Sequence, residues 1–329
     1  MKNLLKKTQR TLLSLTLSLA ATAFLASCEK TSDAVQPTVP AAAVASQDFR
    51  GPESIKAINV NEDYYYQTNT FNRISSAGFN TVRIVIRPQD GNTAWTHNNG
   101  IYGIKRMLHD AKALGLSVIL AYYVRDYMDA YNPNAMYNAS QWWLGNLSVL
   151  KPEGEYAINI LNEPRAAGDA VTWRNQQTNA VQRLRSNGFT GPIVIDAPGY
   201  GHETRFLSQE GGNVAPYNTN VIFSLHVYPD SFYNGGLPGT TNPGSGGGDV
   251  TFMNNLRAAA QRPIIIGEFG DTGGQFTNFR GRVQEFVNNA QQSNANCGAT
   301  GWAWNGDGLG MNAADDASYL SWIQSVAVN

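Results

Sequence analysis

Short runs of β-branched and apolar residues alternate with amphipathic segments from residue 54 to the end of the chain, and this alternation occurs eight times. Repeated βα units predict an α/β fold with a parallel sheet, and eight of them predict a (β/α)8 TIM barrel. The predicted strands are Ile55–Val60, Thr81–Arg87, Ser117–Val124, Tyr156–Glu163, Pro192–Ala197, Val221–Tyr228, Pro263–Phe269 and Thr300–Trp304. The predicted helices include Gly103–Leu114, Thr172–Ser186, Phe252–Gln261 and Phe279–Gln292.

The alternative architecture for such a pattern is a doubly wound open sheet. That fold usually carries a glycine-rich phosphate-binding loop between the first strand and the first helix, and the sequence has none there. We therefore expect a barrel, formed as one catalytic domain by residues 47–329. The active site of such a barrel is built from the C-terminal ends of the strands and the loops that follow them.

The N-terminus has the organisation of an export signal. Basic residues at Lys2, Lys6 and Arg10 precede the apolar run Leu12–Leu25, and small residues then lead into Cys28. This pattern predicts a signal peptide over residues 1–27. Because the Leu-Ala-Ser-Cys ending resembles the lipobox of bacterial lipoproteins, Cys28 is the predicted lipid anchor, and an ordinary signal peptide with a nearby cysteine is the alternative.

Residues 28–46 are rich in Ala, Ser, Thr and Pro and predict a flexible tether. The expected location is the cell envelope, at the outer membrane or cell surface, with the lipid anchor as the only membrane contact. Cys297 is the only other cysteine, so an acylated Cys28 leaves no disulfide framework.

Charge excludes several classes of partner. The net charge is −1 and only 15% of residues are charged, so the sequence lacks the basic footprint of a nucleic-acid-binding protein. Asn, Gln, Gly and aromatic residues are plentiful, as on surfaces that bind hydroxyl-rich ligands. We expect an uncharged ligand.

Two predicted strands end in a carboxylate. Glu163 ends the fourth, where the two-residue period places Ala157, Asn159, Leu161 and Glu163 on one face. Glu268 lies near the end of the seventh, on a predicted face with Ile264 and Ile266.

Hydrolysis of a glycoside with retention needs one such acid to protonate the leaving oxygen and a second carboxylate about 5 Å away to attack the anomeric carbon. The pattern therefore predicts Glu163 as acid/base and Glu268 as nucleophile. The structural alternative is that Glu163 opens a helix while Glu268 pairs with an arginine.

Further polar residues accompany the two acids. His226 and Tyr228 share a face with Ser224 in the sixth strand, and Tyr228 is a candidate hydrogen-bond donor to the nucleophile. Arg83 is an inward charge in an apolar strand, and Glu268 is its predicted partner.

Trp302 and Trp304, at the end of the eighth strand, predict a surface for stacking sugar rings, and the alternative is that they are ordinary core residues. The four histidines show no metal-ligand spacing, and no serine nucleophile elbow is present, so no metal and no cofactor are expected.

These motifs, taken in order, resemble glycoside hydrolase family five, the cellulase and β-mannanase family in the clan of barrels with glutamates at the ends of strands four and seven. The resemblance covers nearly the whole globular chain. The matching motifs are TVRIV, INILNEP, SLHVYP, IIIGEFG and GWAWNGDG.

Within this family the chain is most similar to bacterial endo-β-1,4-mannanases, notably in VQRLRSNGFTGPIVIDAPGYGHE. The resemblance implies that Asn162 binds the 2-hydroxyl of the sugar at the cleavage point, that His226 and Tyr228 line that subsite, and that Trp304 forms its floor. Two positions depart from the family pattern: Tyr200 stands where these mannanases have a tryptophan, and Tyr123 where the family has a histidine.

The predicted function is retaining endo-hydrolysis of a plant-type β-1,4-linked polysaccharide, with mannan as the first substrate. The alternatives are an endo-β-1,4-glucanase on the same scaffold and a non-catalytic glycan-binding lipoprotein.

Overall fold

Eight parallel strands form the centre of the protein. We describe a computed structural model that covers residues 49–61, 69–88, 100–124, 133–165, 168–216, 220–232, 237, 248–271, 280–305 and 311–327. The strands are β1 (Lys56–Asn61), β2 (Thr81–Ile86), β3 (Ser117–Tyr122), β4 (Ala157–Asn159), β5 (Ile193–Asp196), β6 (Val221–Val227), β7 (Ile264–Phe269) and β8 (Ala299–Gly301). They pair in sequence order and β8 pairs with β1, so the sheet closes into the predicted barrel.

A helix follows each strand. The helices in the described part of the chain are α1 (Thr70–Ser76), α2 (Ile101–Ala113), α3 (Ala135–Leu150), α4 (Ala170–Ser186), α5 (Thr204–Glu210), α6 (Asp249–Ala260), α7 (Arg280–Gln292) and α8 (Ala317–Ala327). All described residues belong to one compact unit that comprises residues 43–329. Within the described ranges, no helix is both long enough and apolar enough to cross a membrane.

Helix α4 shows how the local sequence forms one of these units. Asp169 caps its N-terminus by accepting a hydrogen bond from the backbone N–H of Thr172 at 2.8 Å. Its buried residues follow the helical period and face the sheet: Trp173, Gln177, Ala180, Val181 and Leu184. Gly188, two residues after the helix, takes a φ of +80°, which a glycine adopts without strain.

The barrel divides its side chains into two apolar layers. The outer layer lies between the sheet and the helices, where residues such as Ile158 and Ile266 pack. The inner layer fills the N-terminal half of the barrel with residues from six of the strands and the segment before β1: Ile55, Ala57, Ile119, Ala157, Val194, Ile222 and Ile265. Filling this half with apolar side chains leaves the C-terminal half for polar ones.

Polar side chains occupy the inward positions above that layer. Asn59, Arg83, Asn159, Asp196 and His226 are each fully buried, one on each of β1, β2, β4, β5 and β6. A buried polar group is costly unless it is hydrogen-bonded. This layer is therefore the place to look for a functional site.

Candidate active site

Arg83 lies at the centre of the polar layer and donates to five side-chain oxygens, the most distant of which is Oδ2 of Asp196, 3.5 Å from Nη2. Its Nη1 reaches Oδ1 of Asn59 at 2.9 Å and Oε1 of Glu268 at 2.7 Å. Its Nη2 reaches Oδ1 of Asn159 at 2.6 Å and Oδ1 of Asn162 at 2.5 Å. The predicted pairing of Arg83 with Glu268 is thus confirmed, and the same guanidinium also orients Asn162.

Glu268 faces the barrel interior because β7 contains a bulge. Leu225 of β6 pairs with Ile266 and the next residue, His226, pairs with Glu268, so Gly267 is the extra residue on β7. A bulge of this kind changes which side chains share a face and re-aims a side chain, often beside an active site.

Glu268 therefore faces the interior as predicted, but the predicted face shared with Ile264 and Ile266 is wrong. Ile264 and Ile266 pack in the outer layer, so regular alternation would have turned Glu268 outward as well. A Cβ placed on Gly267 would collide with Oγ of inward-facing Ser224, so Gly267 and Glu268 both face the interior.

The side chain of Glu163 also faces the cleft because the backbone before it is irregular. Strand β4 ends at Asn159, so the alternation predicted to extend to Glu163 stops there, and Leu161 packs in the outer layer instead. Glu163 has a φ of +49°, a conformation that non-glycine residues seldom adopt and that is enriched at functional sites. Its backbone N–H donates to Oδ2 of Asp196 at 3.1 Å, which fixes the turn.

His226 lies between three carboxylates. Its Nδ1 is 2.9 Å from Oε1 of Glu163 and 3.5 Å from Oε2 of Glu268, and its Nε2 is 3.4 Å from Oδ2 of Asp196. Burial opposes the charged ring, but the charges of Glu268 and Asp196 outweigh it and raise the pKa of His226 to about 10. The imidazole is therefore an imidazolium at neutral pH.

Asp196 balances this positive charge. Burial alone would raise the pKa of its carboxyl, but the charges of His226 and Arg83 lower it to about 2. Asp196 is consequently ionised at neutral pH, beneath His226 and beside the backbone of Glu163.

Tyr228 donates its hydroxyl hydrogen to Oε2 of Glu268 at 2.8 Å. Burial raises the pKa of Tyr228 well above its ordinary value, and the charge of Glu268 raises it further, so the phenol stays protonated and remains a donor. Burial also raises the pKa of Glu268, against the charges of His226 and Arg83, which favour its ionised form. The predicted hydrogen bond between Tyr228 and Glu268 is therefore confirmed.

The two candidate catalytic carboxylates are close together. One oxygen of Glu163 and one oxygen of Glu268 lie within 4.8 Å of each other, and a ring nitrogen of His226 is within the same distance of both. This spacing leaves room for one reacting carbon between the acids.

A cleft of about 280 Å³ opens above these carboxylates. Among the sequence-predicted residues, Asn162, Glu163, Tyr200, Tyr228, Glu268 and Trp302 line it. Tyr200 is exposed at the rim, where the guanidinium of Arg165 lies 4.2 Å from the centre of its ring. Arg83 and His226 lie beneath the cleft and hold the carboxylates from below.

Trp304 does not line this cleft, so its predicted place as the floor of the subsite is wrong. It is only 1% exposed, and the guanidinium of Arg73 from α1 lies 5.1 Å from its ring centre. Strand β8 ends at Gly301, so the alternation expected for residues 300–304 does not reach the two indoles, and the peptide bond between Trp302 and Ala303 is cis. Trp302 alone of the pair faces the cleft.

Several residues of the site were not predicted from the sequence. Asn59, Asn159 and Asp196 belong to the hydrogen-bonded layer, and Arg87, His202, Asp230 and Met311 line the cleft together with Tyr123, which replaces the family histidine. The inward residues Asn59, Asn159 and Asp196 had a usable signal, since each is a polar residue that directly follows apolar residues in its strand. The loop residues had none, because their position depends on loop conformation.

Glu163, His226 and Glu268 have the spacing of a metal-binding triad, but their partners do not suit a cation. Oε1 of Glu268 already accepts from Arg83, and Oε2 accepts from Tyr228. The His226 ring is itself positively charged, so neither of its nitrogens offers a lone pair. This donor set fits a sugar better than a metal ion.

The predicted anchor Cys28, the signal peptide and the tether lie outside the described residues. Cys297 is buried, and burial raises the pKa of its thiol to about 12, so it is an inert core residue.

Comparison with known proteins places this geometry in context. Residues 45–308 match the model of the cellulase family, glycosyl hydrolase family 5. The chain is 26% identical to a mannan endo-1,4-beta-mannosidase of Cellvibrio japonicus over 254 residues, and 24% identical to one of Streptomyces lividans over 270 residues. These matches cover 74% and 79% of this chain, but they span only 52% and 65% of the two relatives.

Solved structures agree on the fold. A beta-mannanase from Thermomonospora fusca aligns with a TM-score of 0.61 and 26% identity, over 79% of this chain and 82% of that one. A beta-mannanase from Streptomyces thermolilacinus aligns with a TM-score of 0.59 and 24% identity, over 80% of this chain and 82% of the other. The predicted (β/α)8 barrel is confirmed.

Proposed function

The chain belongs to the cellulase family of glycosyl hydrolases, family 5, and from that premise we propose that it cleaves β-1,4-linked mannan internally, with retention of configuration. One observation carries the proposal. One oxygen of Glu163 and one of Glu268 lie within 4.8 Å of each other. The side chain nearest to Glu163 is His226, whereas Glu268 accepts a hydrogen bond from Arg83.

The separation of the carboxylates supports the retaining mechanism. Retaining enzymes hold the two groups about 5–5.5 Å apart, whereas inverting enzymes separate them by about 6.5–9.5 Å to admit a water molecule. The closest oxygens of Glu163 and Glu268 fall within the shorter distance. A substrate carbon fits between them, and an intervening water does not.

The environments of the two acids suit different roles. Arg83 and Tyr228 bond both oxygens of Glu268, which favours an ionised and oriented nucleophile that attacks the anomeric carbon. Glu163 is half-buried beside the cleft and within reach of His226. It protonates the leaving oxygen, and in the second step it takes a proton from the water that hydrolyses the glycosyl-enzyme.

The remaining predicted residues bind the sugar. Asn162 lines the cleft with its Oδ1 held by Arg83, so its amide nitrogen is oriented to donate to the 2-hydroxyl of the sugar at the cleavage point. Trp302 and Tyr200 supply aromatic surfaces on which sugar rings stack. The reaction needs no cofactor.

Mannan is the proposed substrate because the two relatives reported above are mannan endo-1,4-beta-mannosidases. Cleavage of β-1,4-glucan is the second candidate, since a further relative from Caldicellulosiruptor saccharolyticus, 25% identical, is a beta-mannanase/endoglucanase A. Tyr123 and Arg87 line the cleft, with the guanidinium 5.2 Å from the centre of the tyrosine ring. Because Tyr123 replaces the family histidine, we expect this pair to affect the preference for mannan or glucan.

We also propose that the protein is an exported cell-envelope lipoprotein anchored through Cys28. The basic start, the apolar run and the lipobox-like ending of residues 1–28 support this. The full-length protein and its Cys28→Ser variant, expressed in a bacterial host and separated into membrane and soluble fractions, test it. The wild-type protein is expected in the membrane fraction and should incorporate labelled palmitate, whereas the variant should incorporate none; a wild-type protein that takes up no label would exclude the lipid anchor.

The activity is tested by reducing-sugar release from mannan, glucomannan, carboxymethyl cellulose, mixed-linkage glucan and xylan, with residues 47–329. Release from mannan that is lost in Glu268→Ala and Glu163→Gln but kept in Glu53→Gln, an exposed carboxylate outside the cleft, supports the proposal. Release confined to the glucans would keep the mechanism and replace the substrate. Binding of mannan without release by the wild-type protein would identify a non-catalytic glycan-binding protein.

A further inference from the structure

His202 is a buried histidine at the wall of the cleft. Its side chain lines the cleft together with Glu163, Tyr228 and Asp230, and the residue is only 5% exposed. Its Nε2 has no hydrogen-bond partner among the described residues. Because an unsatisfied buried polar atom is unfavourable, such atoms are rare in native proteins and each calls for an explanation.

The backbone around His202 is held in one conformation. Gly199, Tyr200 and Gly201 all have positive φ angles, and the backbone N–H of His202 donates to the carbonyl of Gly199 at 3.1 Å. The carbonyl of Gly201 accepts from the backbone N–H of His226 at 3.1 Å, which ties this segment to β6. A side chain on Gly201 would place its Cβ 2.5 Å from Cγ of His226. The backbone that precedes His202 is therefore held against the active-site histidine, with no room for a side chain between them.

The charge state of His202 differs from that of His226. Burial lowers the pKa of His202, against the opposing charges of Asp230, Glu163 and Glu203, while the nearby charge of His226 lowers it further. The ring is consequently neutral at pH 7, when His226 is positively charged. A neutral imidazole nitrogen pairs with a hydroxyl group in either sense, because a hydroxyl both donates and accepts.

The segment that contains His202 lies on the acid side of the cleft. It follows β5, which pairs with β4, the strand that leads to Glu163, and with β6. Glu268 lies on β7, on the far side of β6. In the proposed mechanism the acid stands beside the leaving oxygen, so a sugar that contacts His202 is on the leaving side of the cleaved bond.

We propose that Nε2 of His202 hydrogen-bonds a hydroxyl of the leaving sugar, the unit that carries the oxygen protonated by Glu163. This assignment rests on the proposed function and adds to it a specific recognition of the leaving group. Because the glycosyl-enzyme reacts with an acceptor through the reverse of the same contacts, His202 also binds the acceptor when a sugar rather than water attacks.

The test compares two substrates that share the glycosyl part and differ in the leaving group. One substrate is mannopentaose, whose leaving group is a sugar. The other is a 4-nitrophenyl mannooligosaccharide, whose leaving group is a phenol without sugar hydroxyls. We expect His202→Ala to lower kcat/KM for mannopentaose roughly tenfold, the loss of about one hydrogen bond. The loss for the nitrophenyl substrate should be at least fivefold smaller.

Two further variants separate recognition from structure. His202→Gln retains a donor and an acceptor and should recover part of the mannopentaose activity. His109→Ala removes an exposed histidine of α2 that bonds Glu153, outside the cleft, and is the matched control for both substrates. With mannobiose added as acceptor, His202→Ala should also lower the ratio of transfer to hydrolysis products.

The outcomes distinguish this inference from the proposed function. Equal losses on the two substrates, or no loss on either, would overturn the role of His202 while the wild-type activity supports the proposed function. A wild-type protein that turns over neither substrate would overturn the proposed function and the role of His202 with it.

Discussion

The guanidinium of Arg83 donates to Oε1 of Glu268 at 2.7 Å, with both side chains buried in the C-terminal half of the barrel. The same guanidinium bonds Asn59, Asn159 and Asn162, so one cation organises the nucleophile, its supporting amides and the residue proposed to bind the 2-hydroxyl. This requires the planar, forked guanidinium of an arginine, because its two terminal nitrogens donate to acceptors in several directions.

Arg83→Lys should separate charge from geometry. A lysine keeps the positive charge but cannot donate to all of these acceptors, so we expect kcat on mannan to fall roughly 100-fold, as when one aligned donor is lost from an active site. The free energy of unfolding should fall by about 1–3 kcal/mol because acceptors are left unpaired. Steady-state kinetics and urea unfolding measure the two effects.

Arg282→Lys is the matched control for that substitution. Arg282 is equally buried, but it pairs with Asp249 through both nitrogens, at 2.6 and 2.7 Å, outside the cleft. This variant should lose stability while the folded protein keeps its kcat. An Arg83→Lys variant with full kcat would show that charge alone is sufficient at the centre of the site.

Gly267→Ala should inactivate the protein by disturbing the bulge. The new methyl would collide with Oγ of Ser224, so the bulge must shift and Glu268 moves with it. The double variant Gly267→Ala with Ser224→Gly lacks the clashing hydroxyl, so it should recover part of the activity. Gly145→Ala in α3, where a Cβ meets nothing within 4 Å, should instead stabilise the protein by about 0.5–1 kcal/mol.

The measurements for the glycine variants are kcat on mannan and the free energy of unfolding. Activity in Gly267→Ala equal to that of the wild-type protein would contradict the dependence of Glu268 on the bulge. Failure of Ser224→Gly to recover any activity would show that the collision with Oγ is not the cause.

Trp302→Ala should mainly change the kinetics, and Trp304→Ala should mainly lower the stability. Trp302 lines the cleft, so its loss should raise KM or lower kcat with a smaller effect on folding. Trp304 is buried against Arg73, so its loss should reduce the free energy of unfolding by about 3–5 kcal/mol, as for other buried large-to-small substitutions. Kinetics on mannan and thermal unfolding distinguish the two variants. A kinetic defect in Trp304→Ala together with a loss of stability in Trp302→Ala would show that Trp304 lines the cleft.

His226 should make stability decrease at alkaline pH. Its pKa is about 10 in the folded protein, against about 6.5 in an unfolded chain. A folded pKa above the unfolded value contributes stability that is fully present below pH 6.5 and is lost as the pH rises through 10. The wild-type protein should therefore lose thermal stability over that range more steeply than His226→Gln does.

The difference in Tm between the wild-type protein and His226→Gln, measured from pH 6 to pH 10.5, checks this expectation. The difference should narrow as the pH rises. A difference that stays constant or widens would show that His226 is neutral in the folded protein, despite the carboxylates that surround it.

The prediction from sequence succeeded where the pattern is regular. Eight alternations of strand and helix predicted the barrel, and the inward charge of Arg83 in an apolar strand predicted its partner Glu268. The inward position of His226 also follows from simple alternation with Ile222 along β6, and Tyr228 is the first residue after that strand. Periodicity sets side-chain direction wherever the backbone keeps its period.

The prediction of side-chain direction from sequence failed where the backbone departs from the two-residue period. The bulge at Gly267, the left-handed turn at Glu163 and the early end of β8 each change a side-chain direction, and two of these changes happened to preserve the expected result. For Trp304 the change removed the residue from the cleft. Bulges and turns of this kind are determined by contacts between neighbouring strands, which no local pattern contains.

The sequence by itself determined the order of the elements and the chemical types at the strand ends, because hydrophobic period and residue type are local properties. Only the tertiary structure decided which of those groups meet. Asp196 accepts from the Glu163 backbone and lies beneath His226, and His202 reaches the cleft through a segment tied to β6. Closing the barrel brings residues far apart in the chain within a few ångströms, and their charges then set one another's protonation states.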